Sequence, residues 1–133
     1  MPFVRINLHQ GKSQEELSIL SRSIHQAMVE TIDVPKDDYF QVITTHASEE
    51  LLYDKEYMNI SRSEQQIFIQ ITMKEGRTTR KKQALYARIA GLLEEKAGVR
   101  PQDVMIILIE NTQENWSFGN GIAQLAAEER ELK

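Results

Sequence analysis

The sequence predicts an α+β fold: two βαβ units in tandem, forming a four-stranded mixed sheet with two helices on one face. Two observations predict it. Residues 2–46 lie on residues 67–111 without a gap when the chain is shifted along itself by 65 positions, which marks an internal repeat. Each half also reads strand, turn, helix, strand. A unit this compact calls for a right-handed crossover between parallel strands, and two of them side by side complete the sheet.

In the repeat frame Phe3 meets Phe68, Ile6 meets Ile71, Gly11 meets Gly76 and Leu20 meets Leu85. Ile24 then meets Ile89, Val34 meets Val99 and Asp38 meets Asp103, with Lys12/Arg77 and Ser13/Thr78 as conservative pairs. The matches fall at equivalent structural positions, which is what a tandem duplication requires.

The elements follow in order. Val4, Ile6 and Leu8 alternate with Arg5, Asn7 and His9, the period of a half-buried strand. Gly11 breaks it, and Ser13-Gln14-Glu15-Glu16 has the spacing of a capping box. Leu17, Leu20, Ile24, Ala27, Met28 and Thr31 keep helical spacing until Val34-Pro35, where proline disfavours helical geometry in the residue before it. Tyr39 to Thr45 is the expected second strand. The other half repeats the plan with a strand at 67–74, the turn Glu75-Gly76-Arg77 and a helix at 79–97 striped by Leu85, Ile89, Leu92 and Leu93. Gly98 is its expected C-cap, and the last strand runs from Val104 to Glu110.

Residues 104–109 are apolar at every position, the pattern of a strand buried on both faces. Two helices cover one face only. A second subunit is the simplest cover for the other, so a homo-oligomer is expected; the alternative is a C-terminal segment folded back over the sheet. A polar connector (47–66) joins the halves, and a tail (112–133) carries the single tryptophan and ends in Ala126-Ala127-Glu128-Glu129-Arg130-Glu131, read as a solvated helix end.

At 133 residues the chain is expected to be one domain with a real core. It has no cysteine, which excludes disulfides, thiol catalysis and thiolate metal sites. A net charge of −4 argues against a sequence-independent grip on nucleic acid. No apolar run approaches the ~20 residues that span a bilayer, and Met1-Pro2-Phe3-Val4-Arg5 lacks the pattern of a signal peptide. A cytoplasmic protein with no membrane partner is expected. His9, His25 and His46 have neither metal-ligand spacing nor a nucleophile motif beside them, and Gly119-Asn120-Gly121 is too short for a phosphate loop. Neither a metal nor a cofactor is expected.

What remains unusual is Pro2. Initiator methionine is normally removed before a small second residue, which would leave a secondary amine at the start of a strand. Such an amine is a base, and it can form an iminium with a carbonyl carbon. Desolvation and nearby cations would lower its basicity toward neutral pH. The repeat frame sets Lys74 and Arg77 at the end of the matching strand, close to the start of the first if the two units pack antiparallel. Two cations beside an amine make a seat for a substrate carboxylate. Lys74 and Arg77 also begin a charge run that continues through Arg80, Lys81 and Lys82, and those last three read as a solvated face.

On these residues the chain resembles the tautomerase superfamily (4-oxalocrotonate tautomerase-like, MIF-like), and within it the fused, double-length members related to malonate semialdehyde decarboxylase. The resemblance rests on Met1-Pro2 opening a strand, Val34-Pro35-Lys36-Asp37-Asp38-Tyr39, Gly76-Arg77-Thr78, and Glu110-Asn111 followed by Trp116-Ser117-Phe118-Gly119-Asn120-Gly121. It implies catalytic roles for Pro2 and Asp38, the aspartate assisting catalysis or activating water. It implies substrate binding by Arg77 and Lys74, and an apolar pocket wall from Trp116 and Phe118. Lys74 stands where the decarboxylase carries a second arginine; it keeps the charge and loses the planar two-pronged grip. Lys12, the counterpart of Arg77, sits where single-length tautomerases carry a substrate arginine. The resemblance further implies a homotrimer, a small oxo-acid substrate and no cofactor.

Other readings of the same residues stay open at this point. Asp38 could simply cap the entry to its strand, as Asp103 would in the other half, and Trp116 and Phe118 could be ordinary tail packing. The expected activity is tautomerisation of a small 2-oxo or enol acid, with decarboxylase or hydratase activity as an alternative. A non-enzymatic, ferredoxin-like ligand-binding module, which shares the order βαββαβ, is the third.

Overall fold

The computed structural model describes residues 1–126. In chain order its main elements are β1 (Phe3–His9), α1 (Gln14–Ile32), β2 (Gln41–His46), β3 (Ile67–Lys74), α2 (Thr79–Ala97) and β4 (Val104–Asn111). They form a mixed four-stranded sheet in the order β2-β1-β3-β4. β1 pairs parallel with β2, β3 parallel with β4, and the two central strands run antiparallel. Arg5 pairs with Gln70, its own counterpart 65 residues on, so the halves meet about a local twofold axis. This order overturns the ferredoxin-like alternative. In that fold another strand separates the two strands of each βαβ unit, whereas β1 here lies directly against β2.

Local chemistry explains the helix boundaries. Ser13 Oγ accepts the Glu16 N–H at 3.1 Å while Glu16 Oε1 accepts the Ser13 N–H at 2.9 Å, a complete capping box. Thr78 caps α2 by the first of these two bonds alone, accepting the Lys81 N–H at 3.2 Å. The turns ahead of the caps need Gly11 and Gly76, with φ of 125° and 117°, a region other residues rarely enter. Both helices end in a left-handed residue, Asp33 in the first half and Gly98 in the second. Second-strand pairing begins at Gln41 rather than Tyr39. The phenol of Tyr39 is drawn back to α1, 2.5 Å from Ser21 Oγ, so its aromatic side chain serves the loop and not the ladder.

Alternation then builds the core. Val4, Ile6 and Leu8 of β1 and Ile67, Ile69, Ile71 and Met73 of β3 are buried against Leu20, Ile24, Met28, Leu85, Ile89 and Leu92 of the helices. Each fully buried aliphatic side chain of this kind contributes about 1.5–3 kcal/mol by leaving water. The opposite face of the sheet is partly covered by the connector, where Tyr53 packs edge-on to Phe68. Val42, Met105, Ile107 and Ile109 stay about 40% exposed, so the strand expected to be buried on both faces is covered on one within a single chain. The tail through Ala126 leaves those residues open; the expected helix end at 127–131 lies outside the described residues.

The helices are also tied across their surface by Arg88, which donates to Glu30 at 2.6 and 3.2 Å. That hydrogen bonding, with a further contribution from Gln26, holds the Glu30 carboxyl at about 2, well below the ordinary glutamate value. A depressed carboxylate pKa stabilises the fold above the unfolded value and loses that contribution as pH falls toward the folded one. The difference in melting temperature between the parent and Glu30→Gln is therefore expected at pH 7 and to shrink between about pH 4.5 and pH 2, as measured by thermal melts across that range. No helix among the described residues is long and apolar enough to cross a membrane.

Candidate active site

Strand direction decides what meets at one end of the sheet. Because β1 starts where β3 ends (Phe3 opposite Thr72), the residues before Phe3 continue toward Lys74. Because β1 and β2 are parallel, the loop entering β2 arrives at the same end, with the Val4 N–H donating to the Phe40 carbonyl at 3.1 Å. β4 finishes there too, with Asn111 opposite Lys74. Pro2, Asp38, Lys74, Arg77, Trp116 and Phe118 therefore come from four separate stretches of sequence to one edge of the fold.

Pro2 is buried. The amine of Met1, which precedes it, forms an ion pair with Asp38 Oδ2 at 2.5 Å, both side chains being 16% exposed. The other Asp38 oxygen, Oδ1, is buried and has no hydrogen-bond partner among the described residues. Asp38 is placed by a turn in which its N–H donates to the Pro35 carbonyl at 3.1 Å. Behind that loop His25 stands with its ring 4.4 Å from that of Tyr39 and its Nε2 2.9 Å from the Lys36 carbonyl oxygen. Asp103, the counterpart of Asp38 in the repeat, is engaged differently. That residue accepts the Ser63 N–H at 2.7 Å and the Ser63 hydroxyl at 2.6 Å, deep in the other half.

The two predicted cations differ in their engagement. The Lys74 ammonium has no ion pair or hydrogen bond among the described residues. Arg77 donates from Nη1 to the Lys74 carbonyl at 2.9 Å and from Nη2 to the Ile32 carbonyl at 3.3 Å, where it satisfies the end of α1. A guanidinium has five N–H donors, so these two bonds fix its plane and leave others available. Lys81 and Lys82 pair with Asp33 and Glu110 on the surface, as expected of a solvated run. Lys12 lies at the opposite end of β1, 3.3 Å from Gln65 Oε1, on a cavity of about 210 Å³ that none of the six predicted residues lines.

The aromatic cluster at this edge is larger than the sequence suggested. Trp116 and Phe118 stack with ring centres 5.5 Å apart and planes 10° apart. Phe118 then reaches Phe40, at 6.3 Å. The loop behind them is held by Gln124, which accepts the Phe118 N–H and donates to the Gly119 carbonyl. Two further members of this edge had no role assigned from the sequence: Phe40, and Asn111, which was quoted only as part of the resemblance and whose Oδ1 accepts the indole N–H at 2.7 Å. Phe40 stands two residues after Asp38, which was its only available signal.

An uncharged amine here would have a carboxylate within reach, two cations at the neighbouring strand end and an apolar wall. That set can hold a small anion and move a proton. The comparisons point the same way. Two family models described as tautomerase enzyme match residues 2–66 and 38–119. The probable tautomerase YusQ of Bacillus subtilis (strain 168) is 50% identical over 94% of this chain and 98% of its own. Two crystal structures of malonate semialdehyde decarboxylase superpose with TM-scores of 0.90 and 0.89. They are 27% and 32% identical and cover 96% of this chain, and 98% and 96% of their own. A fused 4-OT that forms a symmetric trimer shares the fold at a TM-score of 0.78 and 18% identity, over 94% of this chain and 98% of its own. With a family model spanning most of its length and a relative half identical throughout, the chain belongs to the tautomerase family, as a fused, double-length member.

Proposed function

We propose that this protein is a cofactor-independent tautomerase of small 2-oxo or enol acids that uses the amine of Pro2, freed by removal of Met1, as its acid–base group. The observation that carries the reading is the position of the chain terminus: Pro2 is buried at the start of β1, and the amine ahead of it already sits on the carboxylate of Asp38. In the proposed cycle neutral Pro2 takes a proton from one end of the keto–enol system and returns it to the other. Lys74, whose ammonium is unengaged, holds the substrate carboxylate, and the remaining donors of Arg77 steady the charge on the developing enolate. Trp116, Phe118 and Phe40 exclude water from the apolar end of the substrate. A homotrimer is part of the reading: the exposed row Val42, Met105, Ile107 and Ile109 would be buried between subunits.

Decarboxylation or hydration of malonate semialdehyde is the second reading, favoured by the similarity to that decarboxylase over nearly the whole chain. Protonated Pro2, or its iminium with the substrate, would then draw electrons from the breaking bond, and Asp38 would set its protonation or orient water. One assay separates the readings. Parent protein and Pro2→Ala, both shown by mass spectrometry to lack Met1, are compared on phenylenolpyruvate and malonate semialdehyde. The parent is expected to act faster on the enol acid, and the variant to lose about a hundredfold or more in kcat. Equal rates for parent and variant would remove the secondary amine of proline from the mechanism, and a preference for the semialdehyde would favour the second reading.

A further inference from the structure

We propose that Asn111 is a positioning residue that fixes the indole of Trp116 in the pocket wall and ties it to the cationic turn; the inference rests on the reading of this edge as the active site. Asn111 is the last residue of β4 and makes two contacts in different directions. Its backbone carbonyl accepts the Glu75 N–H at 2.8 Å, which joins it to the turn between Lys74 and Arg77. Its side-chain Oδ1 accepts the Trp116 indole N–H at 2.7 Å. The residues between them close a short turn in which the Thr112 N–H and hydroxyl both donate to Asn115 Oδ1, at 3.1 and 2.6 Å. That turn sends the chain back so that Trp116 lies over Phe118.

An indole N–H is a single donor, and a partly buried one without an acceptor is unfavourable. Among the described residues Asn111 Oδ1 is the acceptor this one uses. The bond selects one orientation of a ring that could otherwise rotate about two side-chain torsions, and the stack on Phe118 at 10° follows from that orientation. Through its backbone the same residue holds the distance between the wall and Lys74. Loss of the side-chain acceptor should leave the strand pairing intact and release the ring alone. Because the wall binds substrate without moving a proton, the loss should fall on KM and spare kcat.

Trp116 is the only tryptophan, so its fluorescence reports this contact directly. In Asn111→Leu, with similar volume and no acceptor, lower anisotropy and stronger acrylamide quenching are expected, with KM for phenylenolpyruvate raised about tenfold and kcat within about threefold. Asn111→Asp keeps an acceptor and should restore the anisotropy. In a Trp116→Phe background, Asn111→Leu should raise KM by less than about twofold, since the two residues act as one unit. Unchanged anisotropy and quenching in Asn111→Leu would overturn the proposal, as would a full tenfold KM effect in the Trp116→Phe background. The fluorescence arm needs no substrate. A parent inactive on both compounds would defeat the reading of the active site while the placement of the indole was still decided.

Discussion

Protein that keeps Met1, or carries any extension ahead of it, is expected to turn over phenylenolpyruvate at least about a hundredfold more slowly than protein that begins at Pro2. The reason is electronic before it is steric. With Met1 attached, the Pro2 nitrogen is part of a peptide bond, its lone pair is delocalised into the carbonyl, and it can neither take a proton nor attack a carbon. The geometry adds a second effect, because the Met1 amine lies 2.5 Å from Asp38 Oδ2 and occupies the carboxylate that the free proline would face. Treating the blocked protein with methionine aminopeptidase should restore activity in step with the loss of Met1 by mass spectrometry. Full activity in protein shown to retain Met1 would end any role for the Pro2 nitrogen. The melting temperature should move little in either direction, since a partly exposed ion pair at a chain end contributes about 1 kcal/mol at most.

Much of this arrangement was legible because one repeat can be read against the other. The equivalence of Gly11 with Gly76 and of Ser13 with Thr78 located both turns and both caps, and the helix expected at 79–97 is the one observed. The meeting of Pro2 with Lys74 and Arg77 at one edge was expected from strand direction, whereas Asp38 was expected there only from the family resemblance. What stayed hidden depends on contacts between distant segments. The bond from Arg77 to the Ile32 carbonyl spans 45 residues. No local spacing announces that a predicted anion-binding guanidinium also finishes a helix. Phe40 was read only as part of the strand expected from Tyr39 to Thr45; it joins the aromatic cluster only when the tail returns with Phe118. Asn111 gains its role from Trp116, which lies beyond the last strand. The exposed row on β4 was visible as excess hydrophobicity, but a sequence of apolar residues does not say what covers them.

The repeat also separates two aspartates that look equivalent, and the larger stability effect is expected at the one with no place in the proposed chemistry. Asp103 is fully buried, and its carboxyl group accepts the Ser63 N–H and the Ser63 hydroxyl at 2.7 and 2.6 Å. The position filled by the free chain end beside Asp38 is filled here by the connector, which Asp103 anchors just before β3 begins at Ile67. Asp103→Ala removes two short hydrogen bonds and leaves a backbone N–H and a hydroxyl without their acceptor. Each such group costs about 1–3 kcal/mol, so a loss of about 3 kcal/mol is expected, or roughly 10 °C in melting temperature for a domain of this size. Asp103→Asn retains one acceptor oxygen but sets an N–H₂ against a second donor, and should lose about half as much. Ser63→Ala should fall between, because the backbone bond survives. Asp38→Ala, whose ion-pair partner is the amine of the first residue, should cost under about 1 kcal/mol while lowering activity. Chemical denaturation of the four variants orders them directly. An Asp38 variant less stable than the Asp103 variant would mean that the carboxylate at the chain terminus holds the fold together, and that the two halves use their shared aspartate in the opposite way.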